Sequence, residues 1–168
     1  LITGGFGFIG SAFCKFLVKK NYDIFIIDDF SNSIRINFSK KVKFLNISLS
    51  KTNIVSKFIK KNKITTIFHF AAKIYAQESI KNPKKYFRNN HQYTENLLNI
   101  AIKHNVKNFI FSSTAAVYGK KKKIFKENDN KNPINPYGKS KLMAENSIIK
   151  NKKKINFAIL RFFNIAGA

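Results

Sequence analysis

Residues 1–10 read Leu-Ile-Thr-Gly-Gly-Phe-Gly-Phe-Ile-Gly. Apolar residues run into a glycine-rich turn and out into a second apolar stretch, the pattern of a strand end, a tight turn and a helix start. Gly4, Gly7 and Gly10 are spaced G-x-x-G-x-x-G, and Gly5, Gly7 and Gly10 also satisfy G-x-G-x-x-G. In a dinucleotide site one glycine permits the turn, one admits a pyrophosphate to the backbone, and one lets the helix pack close to the strand. The first helical turn then offers unpaired N–H groups and a partial positive charge to phosphate oxygens. Glycine turns are common, so this motif needs support elsewhere. Scarcity supplies some of it. The chain has seven glycines, at 4, 5, 7, 10, 119, 138 and 167, each inside a motif considered below. A chain so sparing with glycine keeps it where positive φ or close approach demands it.

Outward from the turn, strands and helices alternate. Residues 8–20 have apolar side chains near helical spacing (Phe8, Ile9, Phe13, Phe16, Leu17). Residues 24–28 form a continuous apolar strand, as expected of a parallel strand buried on both faces. That strand ends at Asp28, 18 residues after Gly10, where the fingerprint places the acid that accepts hydrogen bonds from the adenosine ribose. An acid there repels a 2′-phosphate, which favours NAD over NADP. A loop at 31–41, a strand at 42–45, a basic helix at 53–61 and a strand at 64–70 follow. Ala71 and Ala72 leave room for a cofactor, and His69, alone on a buried strand, reads as structural. Pro83 opens a long helix to about residue 104. A strand at 109–111 ends in Ser112-Ser113-Thr114, Pro136 opens a helix to about 150, and residues 155–161 form the last strand. The expected fold is a single α/β domain, a doubly wound Rossmann-type parallel sheet with helices on both faces. The missing initiator Met and the stop after a strand read as a fragment at both ends.

Composition constrains partners. The net charge is +24, with 29 Lys against three Arg (Arg35, Arg88, Arg161). Lysines scattered among Asn, Ile and Phe match A/T-rich codons, whereas phosphate and base readers favour Arg forks. We therefore read the charge as compositional drift rather than a nucleic-acid footprint, and the lysine run at 120–123 as solvated surface. The single Cys14 cannot form an internal disulfide, which fits a reducing, cytoplasmic compartment, and it reads as packing. Residues 6–18 lack the basic n-region of a signal peptide, and no apolar run reaches the roughly 18 residues of a membrane span. No metal-ligand pattern stands out.

Tyr137-Gly138-Lys139-Ser140-Lys141 begins the helix after Pro136. Tyr137 and Lys141 are i and i+4, so they share a face. An adjacent ammonium favours phenolate, and lowering a tyrosine pKa from about 10 to about 7 asks for about 4 kcal/mol. Chance alone gives about one of the six tyrosines a lysine at i+4, and Tyr118–Lys122 in a Gly/Lys-rich loop reads as that accident. The Tyr137 pair differs because Ser113-Thr114 stands 23 residues upstream of Tyr137, at a strand end facing the ligand crevice. A hydroxyl there can relay a proton between Tyr137 and a substrate.

These residues together resemble the extended short-chain dehydrogenase/reductase family. Segments 27–33 (Ile-Asp-Asp-Phe-Ser-Asn-Ser), 68–72 (Phe-His-Phe-Ala-Ala), 88–90 (Arg-Asn-Asn), 107–119 and 160–168 resemble, within it, the branch that epimerises UDP-hexoses at C4. The resemblance spans the whole chain. It implies that NAD bound in the cleft takes the C4 hydrogen of the sugar and returns it to the opposite face. By position, Gly4, Gly7, Phe8, Ile9, Gly10, Asp28, Asn32, Ser33, Ala71, Asn89, Tyr137, Lys141 and Phe163 are implied at the NAD site. Tyr137 is implied as the base, Thr114 as its bridge to the sugar, Lys141 as the group that holds the nicotinamide ribose and lowers the Tyr137 pKa. Asn164, with Thr114 and Tyr137, is implied to meet the UDP-sugar. A homodimer paired through long helices is also implied. Related 4,6-dehydratases carry Asp-Glu after the strand-five Thr, where this chain has Ala115-Ala116, so that elimination lacks its acid and base. Ser48 departs from the acid the family carries near adenine, which lowers the expected cofactor affinity. The competing readings are another NAD-dependent nucleotide-sugar enzyme of the same superfamily and an inactive NAD-binding or basic binding fragment.

Overall fold

The computed structural model describes residues 1–39, 42–120 and 124–167. Its apolar runs become one sheet. Strands β1 (Ile2–Thr3), β2 (Ile24–Asp28), β3 (Val42–Asn46), β4 (Thr66–His69), β5 (Asn108–Thr114) and β6 (Asn156–Phe162) lie in the order β3-β2-β1-β4-β5-β6. Every neighbouring pair is parallel. Ile2 aligns with Ile26 on one side and Phe68 on the other, so the strand order reverses across β1 and β4. A crevice outside the carboxyl ends of the strands at such a reversal is where open α/β sheets bind ligands.

Helices cover both faces unequally. On one face α1 (Phe8–Lys19) packs Cys14 against Phe6, Ile24 and Ile26. Phenylalanines fill the remaining space there, with Phe13 4.6 Å from Phe68 and Phe6 4.9 Å from Phe30. Cys14 is fully buried, its Sγ directed at the Gly5 carbonyl at 3.7 Å, as the packing role requires. On the other face α2 (Thr52–Lys61), α5 (Tyr93–Lys103) and α6 (Pro136–Lys150) bury Val55, Ile59, Leu97, Leu98, Ala144 and Ile148 over Ile67, Phe109 and Phe111.

The stretch expected as one helix from Pro83 is built in pieces. Two short helices, α3 (Ala76–Lys81) and α4 (Pro83–Tyr86), lead into a π-helical turn at Phe87–Gln92, and α5 continues from it. The cause is polar. Thr94 Oγ1 donates to the Asn90 carbonyl at 2.8 Å, inserting a hydroxyl into the helical ladder. Asn90 is itself fixed by three side-chain hydrogen bonds described below. Strand β4 is also shorter than residues 64–70: Ile64 N–H still bonds back to the Ile59 carbonyl of α2, and after the Phe70 N–H bond to the Thr3 carbonyl the chain leaves the sheet. Of the lysine run at 120–123, only Lys120 is among the described residues, and it is exposed; the rest of that run, residues 40–41 of the expected loop, Lys122 of the chance pair and Ala168 lie outside them.

Candidate functional site

Gly4 has φ +69°, and a Cβ there would sit 2.7 Å from the Ala71 backbone nitrogen. This is the tight turn that only glycine makes cheaply. A Cβ at Gly10 would fall 2.1 Å from the Gly4 carbonyl oxygen, so α1 can approach the turn only without a side chain there. Gly5 packs instead against Ile26 and does not line the cleft, so the functional spacing is that of Gly4, Gly7 and Gly10. Gly7 caps α1 without a side-chain hydrogen bond, leaving the helix start to whatever occupies the cleft.

Asp28 ends β2 beside this turn and organises it. Oδ2 accepts the Phe6 N–H at 2.9 Å, and Oδ1 accepts the Phe30 N–H at 3.0 Å and the Ser33 hydroxyl at 2.8 Å. A carboxylate offers about four acceptor positions, so capacity for a ligand hydroxyl remains. The acid expected to meet a ribose therefore also ties the glycine turn to the loop carrying Asn32 and Ser33.

Helix α6 presents Tyr137 and Lys141 because its start is pinned. Asn135 Oδ1 accepts the Gly138 N–H at 2.8 Å, Pro136 occupies the first turn, and Ser79 Oγ accepts the Tyr137 N–H at 3.1 Å. A Cβ at Gly138 would lie 2.6 Å from the Ala116 carbonyl oxygen, so glycine lets α6 lie against the end of β5. There a 3-10 turn, Ala115–Val117, is capped by Thr114, whose Oγ1 accepts the Ala116 N–H at 3.1 Å. With that acceptor role filled, the Thr114 hydroxyl can donate to Tyr137. Ser113 is turned away, its hydroxyl donating to buried Glu145. Of the two hydroxyls that end β5, Thr114 is the one facing Tyr137.

The electrostatics correct one expectation. Burial pushes the Tyr137 phenol above its ordinary value, and the hydrogen bond with Thr114 draws it partly back. Lys141 does not depress it. The ammonium is buried over the Phe111 ring, 4.2 Å from its centroid, and burial pulls its own pKa down to about 7 against the opposing pull of Glu145. An amine near half-charge is a weak partner for a phenolate. His69 behaves as a structural histidine, with Nδ1 2.6 Å from Thr3 Oγ1 and Nε2 2.7 Å from Thr94 Oγ1.

Gly4, Gly7, Phe8, Ile9, Gly10, Asp28, Asn32, Ser33, Ala71, Asn89, Thr114, Tyr137, Lys141, Phe163 and Asn164 all line one cleft of about 670 Å³. Ser48 lines it as well. That volume lies within the range of about 300–1,000 Å³ for small-molecule and cofactor sites. The cleft fits a dinucleotide on the structure's own terms, since Gly7 opens the start of α1 to it without a side-chain cap and Asp28 keeps acceptor capacity for a ribose hydroxyl. Three participants escaped sequence reasoning. Lys73 lines the cleft and donates from Nζ to Ser31 Oγ at 2.9 Å, linking its two rims. Asn90 binds the Lys73 N–H (2.8 Å), the Lys73 carbonyl (2.9 Å) and Ser140 Oγ (3.2 Å), locking that rim to α6. Glu145 lies one helical turn beyond Lys141. A lysine among 29 carries no signal, and the π-helical turn shifts the register that would have marked Asn90.

Comparison with known proteins agrees with this geometry. The chain is 40% identical over 171 residues to a UDP-glucose 4-epimerase of Lactobacillus helveticus, covering all of this chain and 52% of that protein. Its fold superposes on the UDP-Glc/GlcNAc 4-epimerase of Campylobacter jejuni with a TM-score of 0.92 at 38% identity, covering 99% of this chain and 54% of that one. The UDP-glucose 4-epimerase of Brucella ovis, solved in complex with NAD, gives a TM-score of 0.91 at 32% identity, covering 99% of this chain and 52% of that one. The chain thus spans about half the length of the relatives it matches. The family profile described as NAD dependent epimerase/dehydratase family matches residues 1–168, and the chain belongs to that family.

Proposed function

We propose that this chain is the cofactor-binding part of an enzyme that epimerises UDP-hexoses at C4, interconverting UDP-glucose and UDP-galactose. The observation that carries the reading is convergence: the glycine turn, Asp28 and the Thr114–Tyr137–Lys141 set line a single cleft. NAD, when bound, supplies a reversible acceptor for the C4 hydrogen and its electron pair. Gly4, Gly7 and Gly10 with the start of α1 hold the pyrophosphate through backbone N–H groups. Asp28, Asn32 and Ser33 hold the adenosine ribose. Phe8, Ile9, Ala71, Asn89 and Phe163 wall the cofactor, and Lys141 with Tyr137 holds the nicotinamide ribose. Tyr137 takes the proton of the sugar 4-hydroxyl, relayed by Thr114, and returns it after the sugar has turned its other face. Burial raises the phenol, so a cation near the ring is needed to bring it toward neutrality. Asn164, with Thr114 and Tyr137, meets the UDP-sugar.

The same reading makes the full-length protein a cytoplasmic homodimer. Exposed Met143 and Ile149 on α6 supply apolar surface for pairing through the long helices, and light scattering measures the mass. No helix of the described residues is long and apolar enough to cross a membrane. The decisive experiment is Tyr137→Phe in the full-length protein. Loss of a positioned acid–base group costs about 10²–10⁴-fold, so interconversion should fall by at least that factor while bound NAD is retained. A wild-type protein that interconverts neither sugar nucleotide would overturn the proposal.

A further inference from the structure

Glu145 is a carboxylate with no exposed surface. A buried charge is tolerated only when paired and hydrogen-bonded, and this one is held on three sides. Arg161 on β6 forks onto it, Nε to Oε1 at 3.0 Å and Nη2 to Oε2 at 2.9 Å, and the Ser113 hydroxyl donates to Oε1. Arg161 is anchored in turn, donating to Tyr118 Oη at 2.7 Å and to the Glu127 carbonyl at 2.9 Å. A structural ion pair could do this anywhere in the core. This one stands in line with the reaction residues, because Tyr137, Lys141 and Glu145 are i, i+4 and i+8 on one face of α6.

Lys141 is buried among few charges. The groups facing it are Tyr137 and Glu145 on its own helix, the Phe111 ring on β5, His69 on β4, and Arg161 on β6 beyond the carboxylate. His69 is neutral at physiological pH, since burial pulls its pKa down to about 3. Within that set Glu145 supplies the negative charge.

We propose that Glu145 is a positioning residue for this site, which keeps Lys141 from losing its charge entirely at neutral pH and, through Ser113, ties the end of β5 that carries Thr114 to the helix that carries Tyr137. Burial pulls the Lys141 pKa down, and Glu145 is the group that opposes it. Without the carboxylate, the ammonium would face Arg161 unshielded, and both effects would favour the neutral amine.

The proposal rests on the reading of the cleft as the reaction site, but its test reads Lys141 directly. In the full-length protein the titration midpoint of Lys141 is followed from its ¹³Cε chemical shift. Glu145→Gln keeps the side-chain shape and removes the charge, and the midpoint should fall by at least about one pH unit. Arg161→Gln breaks the same ion pair yet leaves Lys141 the carboxylate, so the midpoint should stay or rise. Glu145→Asp should hold it near the wild-type value. Thermal unfolding should show similar losses for Glu145→Gln and Arg161→Gln, which separates electrostatics from stability. The alkaline limb of the epimerisation profile should move to lower pH in Glu145→Gln alone. An unchanged midpoint in Glu145→Gln, or an equal fall in Arg161→Gln, would overturn the proposal. Should Glu145→Gln fail to fold, Arg161→Gln and Glu145→Asp decide it: a fall of a full unit in either overturns it. A midpoint that moves as expected in a protein without epimerase activity sinks the functional reading and leaves the positioning role intact.

Discussion

At the scale of single residues, His69 shows how one buried ring links strand, helix and pH. Its two nitrogens are taken by Thr3 on β1 and Thr94 on α5, so the neutral ring bridges the sheet to the helix that follows the π-helical turn. Burial, aided by the Lys141 charge, holds its pKa down at about 3 against an ordinary 6.5. Between those values the unfolded chain binds a proton that the folded chain refuses, so stability is lost as pH falls through the window. In urea titrations at pH 7 and pH 4.5, His69→Gln should show an acid loss smaller by about 2 kcal/mol than wild type. An identical loss in both proteins would mean that His69 is not the group responsible. The structural reading of this histidine was available from its place on a buried strand. Asp28, Thr114 and Tyr137 were available because motif spacing marks them. Glu145 was not, because nothing in local sequence reveals that a carboxylate two helical turns past Tyr137 meets an arginine from another strand.

At the scale of elements, the β1–α1 turn was legible almost to the atom, since the glycine spacing encodes how closely helix and strand approach. Gly10 and Gly7 nonetheless do different jobs. A methyl at Gly10 would strike the Gly4 carbonyl oxygen at 2.1 Å, a backbone atom that cannot step aside without moving the turn. At Gly7 the Cβ would lie 3.3 Å from the same oxygen, a tight contact that a small shift relieves, and it would stand at the mouth of the cleft. Gly10→Ala should therefore destabilise the fold by about 1–3 kcal/mol, as overpacking does, and weaken NAD binding with it. Gly7→Ala should keep its thermal midpoint within a few degrees and lose NAD affinity. Differential scanning fluorimetry with and without NAD separates the two; equal destabilisation would mean that both glycines serve packing alone. The helix from Pro83 was misjudged for a reason no periodicity exposes: the Thr94 hydroxyl takes the Asn90 carbonyl four residues back, while the Asn90 side chain is held by Lys73 and Ser140.

At the scale of the whole molecule, the +24 charge and the cleft have opposite characters. The cleft walls carry Lys73 and Lys141 against Asp28 and Asp29, a balanced set. Elsewhere five of the 29 lysines have a local explanation, since Lys19, Lys60, Lys61, Lys103 and Lys150 sit in the last turns of their helices, where the dipole favours cations. Those are exposed positions. Such a charge still has consequences. Like charges over the whole surface repel one another in the folded state more than in the expanded chain. Raising ionic strength from about 0.01 M to about 0.15 M shortens the screening length from about 30 Å to about 8 Å. The thermal midpoint should therefore rise with NaCl over that range. On the proposed epimerase reading the effect on rate runs the other way, because a doubly anionic UDP-sugar would be drawn toward a cationic protein and salt would weaken that attraction. In the full-length protein kcat/KM should fall with salt while kcat stays level. A midpoint insensitive to NaCl would mean that repulsion is already relieved, through counterions held in place or acidic surface elsewhere in the protein, and the rate should then lose its salt dependence as well.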